Sequence, residues 1–129
     1  MKILIVDDAG VMRKVITREL IDMGIQQLEI VEACDGQQGY DMAVSMELDL
    51  ILMDWNMPEM LGIDAVAEIR AAGIKTPIIM VTTEAERSNI IRAIQAGANN
   101  YLTKPFSKQD FQAKIQQTIV TIACTASTK

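Results

Sequence analysis

Five short runs of Ile, Leu, Val and Met alternate along the chain with longer stretches of helical spacing. The runs are Lys2–Val6, Leu28–Glu32, Leu48–Met53, Pro77–Val81 and Asn100–Leu102. Several are almost continuously apolar, as strands covered on both faces must be. Between them, Met12, Val15, Ile16, Leu20 and Met23 share one face of a helix while Arg13, Lys14 and Arg18 occupy another. Phe111, Ile115, Ile119 and Ile122 repeat that spacing near the C-terminus. Glu86–Gln95 carries Ile90, Ile91 and Ile94 and runs into Ala96-Gly97, where Gly97 is the predicted C-cap. Gly36–Met46 fits a helix least well, because Gly39 lies inside it. A β-α unit repeated five times predicts an α/β domain: a single five-stranded parallel sheet with helices on both faces.

With 129 residues, such a chain buries about two-thirds of its unfolded surface, enough for a core without staples. Aromatics are only 4% of the residues, so that core is aliphatic, with nine Met among its material. The chain has no histidine, which excludes a phosphohistidine carrier, a Ser-His-Asp or Cys-His catalyst and any His-ligated zinc site. Twelve basic against seventeen acidic residues give −5, a balance that argues against a nucleic-acid surface. Cys34 and Cys124 are far apart with no CxxC, and free thiols in a reducing compartment are expected. The opening apolar run is too short for a secretory segment and is followed by Asp7-Asp8. The other apolar stretches are strand-sized, so a cytoplasmic protein without a membrane span is expected. No linker, repeat or charge block divides the chain; the expected domain covers 1–124, with a frayed tail at 125–129.

In an open α/β sheet, ligands bind beyond the carboxyl ends of the strands at the topological switch point. The residues at those ends are Asp7 and Asp8 after the first run, Asp54 after the third, Thr82 and Thr83 after the fourth, and Lys104 just after the fifth. Three carboxylates at one edge repel one another unless a counter-charge joins them, and Mg²⁺ is a hard cation that takes oxygen ligands. A carboxylate is also a nucleophile toward phosphorus. Phosphoryl transfer needs positioning and charge neutralisation more than acid–base groups. Lys104 and the Thr82 hydroxyl could each hold a phosphoryl oxygen, and no histidine is required. Each residue alone also has a plainer role: Asp7 or Asp8 as a helix cap, Asp54 in the turn Trp55-Asn56-Met57-Pro58, Thr82 as structure, Lys104 as a surface lysine. Lys104-Pro105 could be cis or trans.

Five segments carry a resemblance: Ile5-Val6-Asp7-Asp8, Met53 to Pro58, Met80-Val81-Thr82 with Glu84-Ala85, Gln95-Ala96-Gly97-Ala98, and Tyr101 to Phe106. The chain resembles the receiver domains of two-component response regulators, in particular the single-domain chemotaxis type, from about Lys2 to Thr121. The resemblance implies a flavodoxin-like, doubly wound (βα)5 fold with strand order 2-1-3-4-5. Asp54 would be the phosphoacceptor. Asp8 and Asp54 would bind Mg²⁺ through carboxylates, Asn56 through its backbone carbonyl and Asp7 through water. Thr82 and Lys104 would contact the phosphoryl group, and Tyr101 would be the switch aromatic that turns inward as Thr82 is drawn to it. Asn56 and Glu84 would flank the phosphoryl group and set its lifetime.

A histidine kinase would then be the phosphodonor. A downstream protein, such as a flagellar motor switch protein, would read the surface of the fourth helix, fifth strand and fifth helix. The Met- and Ile-rich composition there reads as core, with residues such as Lys108 and Lys114 exposed to an acidic partner. The chain would be a monomer until phosphorylated, and a switch rather than an enzyme beyond its own phosphotransfer and dephosphorylation. Two residues depart from the family pattern: Thr83 stands where a small residue is common, and Leu61 where Asp is usual. Three alternatives stand beside this one. A receiver excised from a DNA-binding regulator or hybrid kinase would need a linker. An aspartate-nucleophile phosphatase would want an acid where Asn56 stands. A flavodoxin-like cofactor binder would want a phosphate-cradling loop where Asp7-Asp8-Ala9-Gly10 stands.

Overall fold

The computed structural model describes residues 1–127, and in the last helix the side chains as far as Ile119. The elements run β1 (Lys2–Val6), α1 (Gly10–Asp22), β2 (Glu29–Ala33), α2 (Gly36–Ser45), β3 (Leu50–Met53), α3 (Gly62–Ala71), β4 (Ile78–Thr82), α4 (Arg87–Ala96), β5 (Asn100–Thr103) and α5 (Lys108–Ser127). All strand pairs are parallel, in the order β2-β1-β3-β4-β5. The expected fold class holds, including the strand order. Ile122 and Cys124 lie outside the described side chains, and the expected tail runs past the described residues.

Alternation along the strands divides the core in two. Leu4, Val6, Ile51, Met53, Ile78 and Met80 face α2, α3 and α4. Ile3, Ile5, Leu50, Leu52, Ile79 and Val81 face α1 and α5, where they meet Ile16, Leu20, Phe111 and Ile115. Both faces of the three central strands are therefore covered, which is why their sequences are continuously apolar. Edge strand β2 is only partly buried along most of its length. It lies one residue later than the Leu28–Glu32 run read from sequence, and its pairing with β1 matches Lys2 to Glu29 and Val6 to Ala33.

α2 forms despite Gly39, and the packing explains the glycine. A Cβ there would come within 2.9 Å of both Val6 methyl groups, so Gly39 lets the helix lie close on β1. Gly97 ends α4 at φ 123°, a conformation suited to glycine, as the helix-stop pattern predicts.

β1 and β3 are neighbours while β2 lies on the far side of β1, so the switch point lies between β1 and β3. Val6 pairs with Met53 there, and the next residue of each strand is an aspartate.

Candidate functional site

Backbone bonds carry the two strand ends past the sheet side by side: Asp7 N–H donates to Ala33 O at 3.1 Å, and Asp54 N–H to Val6 O at 2.9 Å. Asp7 and Asp54 are buried, while Asp8 faces solvent. One carboxylate oxygen from each of the three lies within 4.8 Å of the others, a donor set that fits a hard divalent cation. Lys104 reaches this group from just beyond β5, with its N–H bonded to Thr82 O at 2.8 Å. Its ammonium lies 3.0 Å from Asp7 Oδ2 and 3.4 Å from Asp54 Oδ2. The Lys104-Pro105 peptide is cis.

The second oxygens of the two buried carboxylates are also engaged. Asp7 Oδ1 accepts from Ala9 N–H at 2.9 Å, and Asp54 Oδ1 from Trp55 N–H at 2.7 Å. Burial raises the Asp54 pKa above its ordinary value; Lys104 opposes this, Asp7 adds to it, and the Trp55 N–H and Thr82 hydroxyl lower it. One lysine thus offsets only part of the cost of gathering three carboxylates, which leaves the pocket receptive to a further cation.

Thr82 is fully buried at the end of β4, and its Oγ1 accepts from Glu84 N–H at 3.3 Å. Tyr101 is buried, and its hydroxyl donates to the Glu84 carbonyl. Burial, with Glu84 and Asp54 nearby, pushes the Tyr101 pKa up to about 12, so the hydroxyl remains a donor at neutral pH. The Glu84 carboxylate accepts from Asn56 Nδ2 at 2.9 Å, bridging the loops that follow β3 and β4. All eight site residues predicted from sequence therefore lie in one connected group: Asp7, Asp8, Asp54, Asn56, Thr82, Glu84, Tyr101 and Lys104.

The comparisons with known proteins agree with this arrangement. Residues 3–116 match the response regulator receiver domain family. The chain belongs to that family. The chemotaxis protein CheY of Pseudomonas aeruginosa is 45% identical over 119 residues, covering 91% of this chain and 94% of that protein. CheY-3 of Vibrio cholerae is 42% identical, over 91% and 90% respectively. Among solved structures, the receiver domain of the Francisella response regulator 1452 superposes with a TM-score of 0.82 at 27% identity, covering 91% of this chain and 94% of that one. CheY4 of Vibrio cholerae superposes at 0.80 with 32% identity, over 91% and 97%.

Receiver domains are phosphoacceptor switches, and the two departures of this receiver fall beside its pocket. Thr83 is exposed, whereas Thr82 and Tyr101 are buried. Leu61 is the N-cap of α3, half-exposed, and makes no capping bond. Between α4, β5 and α5 lies a groove of about 490 Å³ lined by Ile90, Ile94, Tyr101, Thr103, Ala113 and Lys114 among others. Ile91 and Ile94 are 47% and 46% exposed, so part of the apolar face read as core is surface. Lys108 is not on the groove; it pairs with Asp22 at 3.0 Å and ties α5 to α1.

Three contributors escaped sequence analysis. Arg70 donates to the carbonyls of Gly97, Ile74 and Thr76 and to Asn99 Oδ1, joining α3 to the segments that lead into β4 and β5. On α4, Asn89 donates to the Glu84 carboxylate and Arg92 lies over the Trp55 ring. No local motif marks them: the contacts of Arg70 with Gly97 and Asn99 and of Arg92 with Trp55 join segments far apart in sequence, and the nearer contacts follow no recognisable pattern. Among the described residues no helix is long and apolar enough to cross a membrane.

Proposed function

We propose that this receiver is a single-domain response regulator of chemotaxis, cytoplasmic and monomeric until phosphorylated, with its receiver domain over residues 1–124. It would take a phosphoryl group from a histidine kinase onto Asp54. The observation that carries this is the triad of Asp7, Asp54 and Lys104 at the β1/β3 switch point, with Asp8 exposed beside it. The single-domain form is supported by the chemotaxis relatives, which the chain matches over 90–94% of their own length.

Asp8 and Asp54 would hold Mg²⁺ through carboxylates, with the Asn56 carbonyl, and Asp7 through water. Asp7 Oδ2 lies closer to the Lys104 ammonium, at 3.0 Å against 3.4 Å for Asp54 Oδ2, which supports the indirect contact for Asp7. Bound there, the ion would neutralise charge on the phosphoryl oxygens. An Asp54 oxygen attacks phosphorus as the bond to the donor imidazole breaks, and the Lys104 ammonium pairs with a phosphoryl oxygen. The Thr82 hydroxyl donates to another.

That shift moves Thr82 Oγ1 away from Glu84 N–H, and through the Glu84 carbonyl it reaches the Tyr101 hydroxyl. Tyr101 also lines the groove between α4, β5 and α5. A downstream protein, such as a flagellar motor switch protein, would dock there, its affinity set by the balance of two arrangements. Lys114 and the exposed Ile94 suit a partner with acidic and apolar side chains.

Intact mass after incubation with acetyl phosphate and Mg²⁺ tests the reaction. The wild-type chain gains one phosphoryl group and Asp54→Asn gains none. Normal incorporation by the variant overturns the assignment.

A further inference from the structure

Asn89 and Arg92 of α4 have no part in the phosphotransfer described above, yet Arg92 meets the segment after the nucleophile directly and Asn89 meets it through Glu84. Glu84 Oε1 is bonded to Asn56, and its other oxygen accepts from Asn89 Nδ2 at 3.2 Å. Arg92 Nη1 donates to Asn89 Oδ1 at 3.4 Å. The Arg92 guanidinium carbon lies 5.6 Å from the centroid of the buried Trp55 ring, within range of a cation–π contact. Trp55 and Asn56 are the two residues after Asp54, and the Trp55 N–H is bonded to Asp54. α4 therefore grips the post-nucleophile segment at two consecutive residues, once through Glu84 and once directly.

The state of the Glu84 carboxylate follows from these contacts. With each oxygen held by an amide, its charge is tied down and its side chain cannot swing. A carboxylate held in this way keeps the two loops beside Asp54 together. Loss of the Asn89 bond frees one oxygen and lets the loops part, which favours water at phosphorus.

We propose that Asn89 and Arg92 are positioning residues that hold Glu84 against Asn56 and thereby slow hydrolysis of the phosphoryl group on Asp54. This rests on the phosphorylation of Asp54 proposed above. In the slowed step, a water oxygen attacks phosphorus, the phosphorus–oxygen bond to Asp54 breaks, and the electron pair returns to the carboxylate. The protons of the water leave with inorganic phosphate and solvent.

The test loads the full chain from acetyl phosphate with Mg²⁺, removes the donor, and follows loss of the phosphoryl group by intact mass. Asn89→Ala and Arg92→Met each speed the loss about three- to tenfold, the factor carried by one ordinary hydrogen bond. Glu84→Ala does the same, and adding Asn89→Ala to it brings no further acceleration, because Asn89 acts through Glu84. A purely structural effect would persist in the Glu84→Ala background. Unchanged or slower loss in both single α4 variants overturns the proposal, as does an equal acceleration by Asn89→Ala with and without Glu84. Failure of the wild-type chain to load at all overturns the phosphorylation reading, and the proposal with it, before any variant is compared.

Discussion

The Lys104 ammonium lies 3.0 Å from Oδ2 of Asp7, joining the residues that follow the last and the first strand of the sheet. The lysine crosses from the β5 edge to the β1/β3 switch point, where its second neighbour is Asp54 at 3.4 Å. Both members of the pair are nearly buried, so neither charge has water as an alternative partner. The pocket thus holds the Lys104 ammonium by contact with two carboxylates, and a third carboxylate stands open to solvent.

Lys104→Ala leaves Asp7 and Asp54 without a counter-charge. Without divalent ions its stability at neutral pH falls by about 3 kcal/mol, the cost of breaking a buried pair. Mg²⁺ binding does not weaken, since removing a cation deepens the negative potential of the site. Denaturation with and without Mg²⁺, and a Mg²⁺ titration followed by Trp55 fluorescence, check both parts. A markedly higher Mg²⁺ midpoint in the variant would contradict the account.

Burial raises the Asp54 pKa above 3.8 in the folded chain. Between 3.8 and that raised value the folded state binds more protons than the unfolded one, so this group lowers stability as pH rises through the window. Asp54→Asn removes the effect. Without Mg²⁺ the variant melts above the wild type at neutral pH, and the gap closes as pH falls toward 3.8. Thermal midpoints across that range measure it; a constant gap would show that the charge of Asp54 is not its source.

Leu61 occupies the N-cap of α3, and its side chain offers no acceptor to the first-turn N–H groups. Leu61→Asp supplies the missing acceptor and is expected to add about 1 kcal/mol, or roughly 3–5 °C in the thermal midpoint. A calorimetric scan decides the matter, and a lowered midpoint would show that the exposed leucine packs usefully.

Arg70 holds three carbonyls and one side-chain oxygen, and burial lowers its pKa. Arg70→Met keeps most of the apolar stem but strands these acceptors, a loss of about 2–4 kcal/mol in urea denaturation. An unchanged urea midpoint would mean that water replaces all four bonds.

Much of this was legible because strand ends and helix faces are local properties. The apolar runs marked the three central strands, and the polar residue after each run marked the pocket. Sheet order was not local: only the resemblance supplied it, and only that order brings Asp7 beside Asp54. Gly39 misled for the opposite reason, since helix propensity counts the flexibility of glycine but not the nearness of Val6. Ile91 and Ile94 have helical spacing like core residues, yet they lie beyond the reach of the sheet and remain half-exposed. Lys108 could not be assigned to a side of α5 without knowing that α1 brings Asp22 to it. Arg70 binds backbone carbonyls, which leave no trace in residue identity.

The central claim is that Asp54 carries the phosphoryl group. Borohydride reduction of chain treated with acetyl phosphate and Mg²⁺, followed by peptide mass spectrometry, reads the position directly, because an acyl phosphate is reduced to the alcohol and a free carboxylate is not. The account predicts homoserine at position 54, dependent on Mg²⁺ and absent when the donor is omitted. Aspartate intact at 54, with homoserine at another acidic residue, would contradict it.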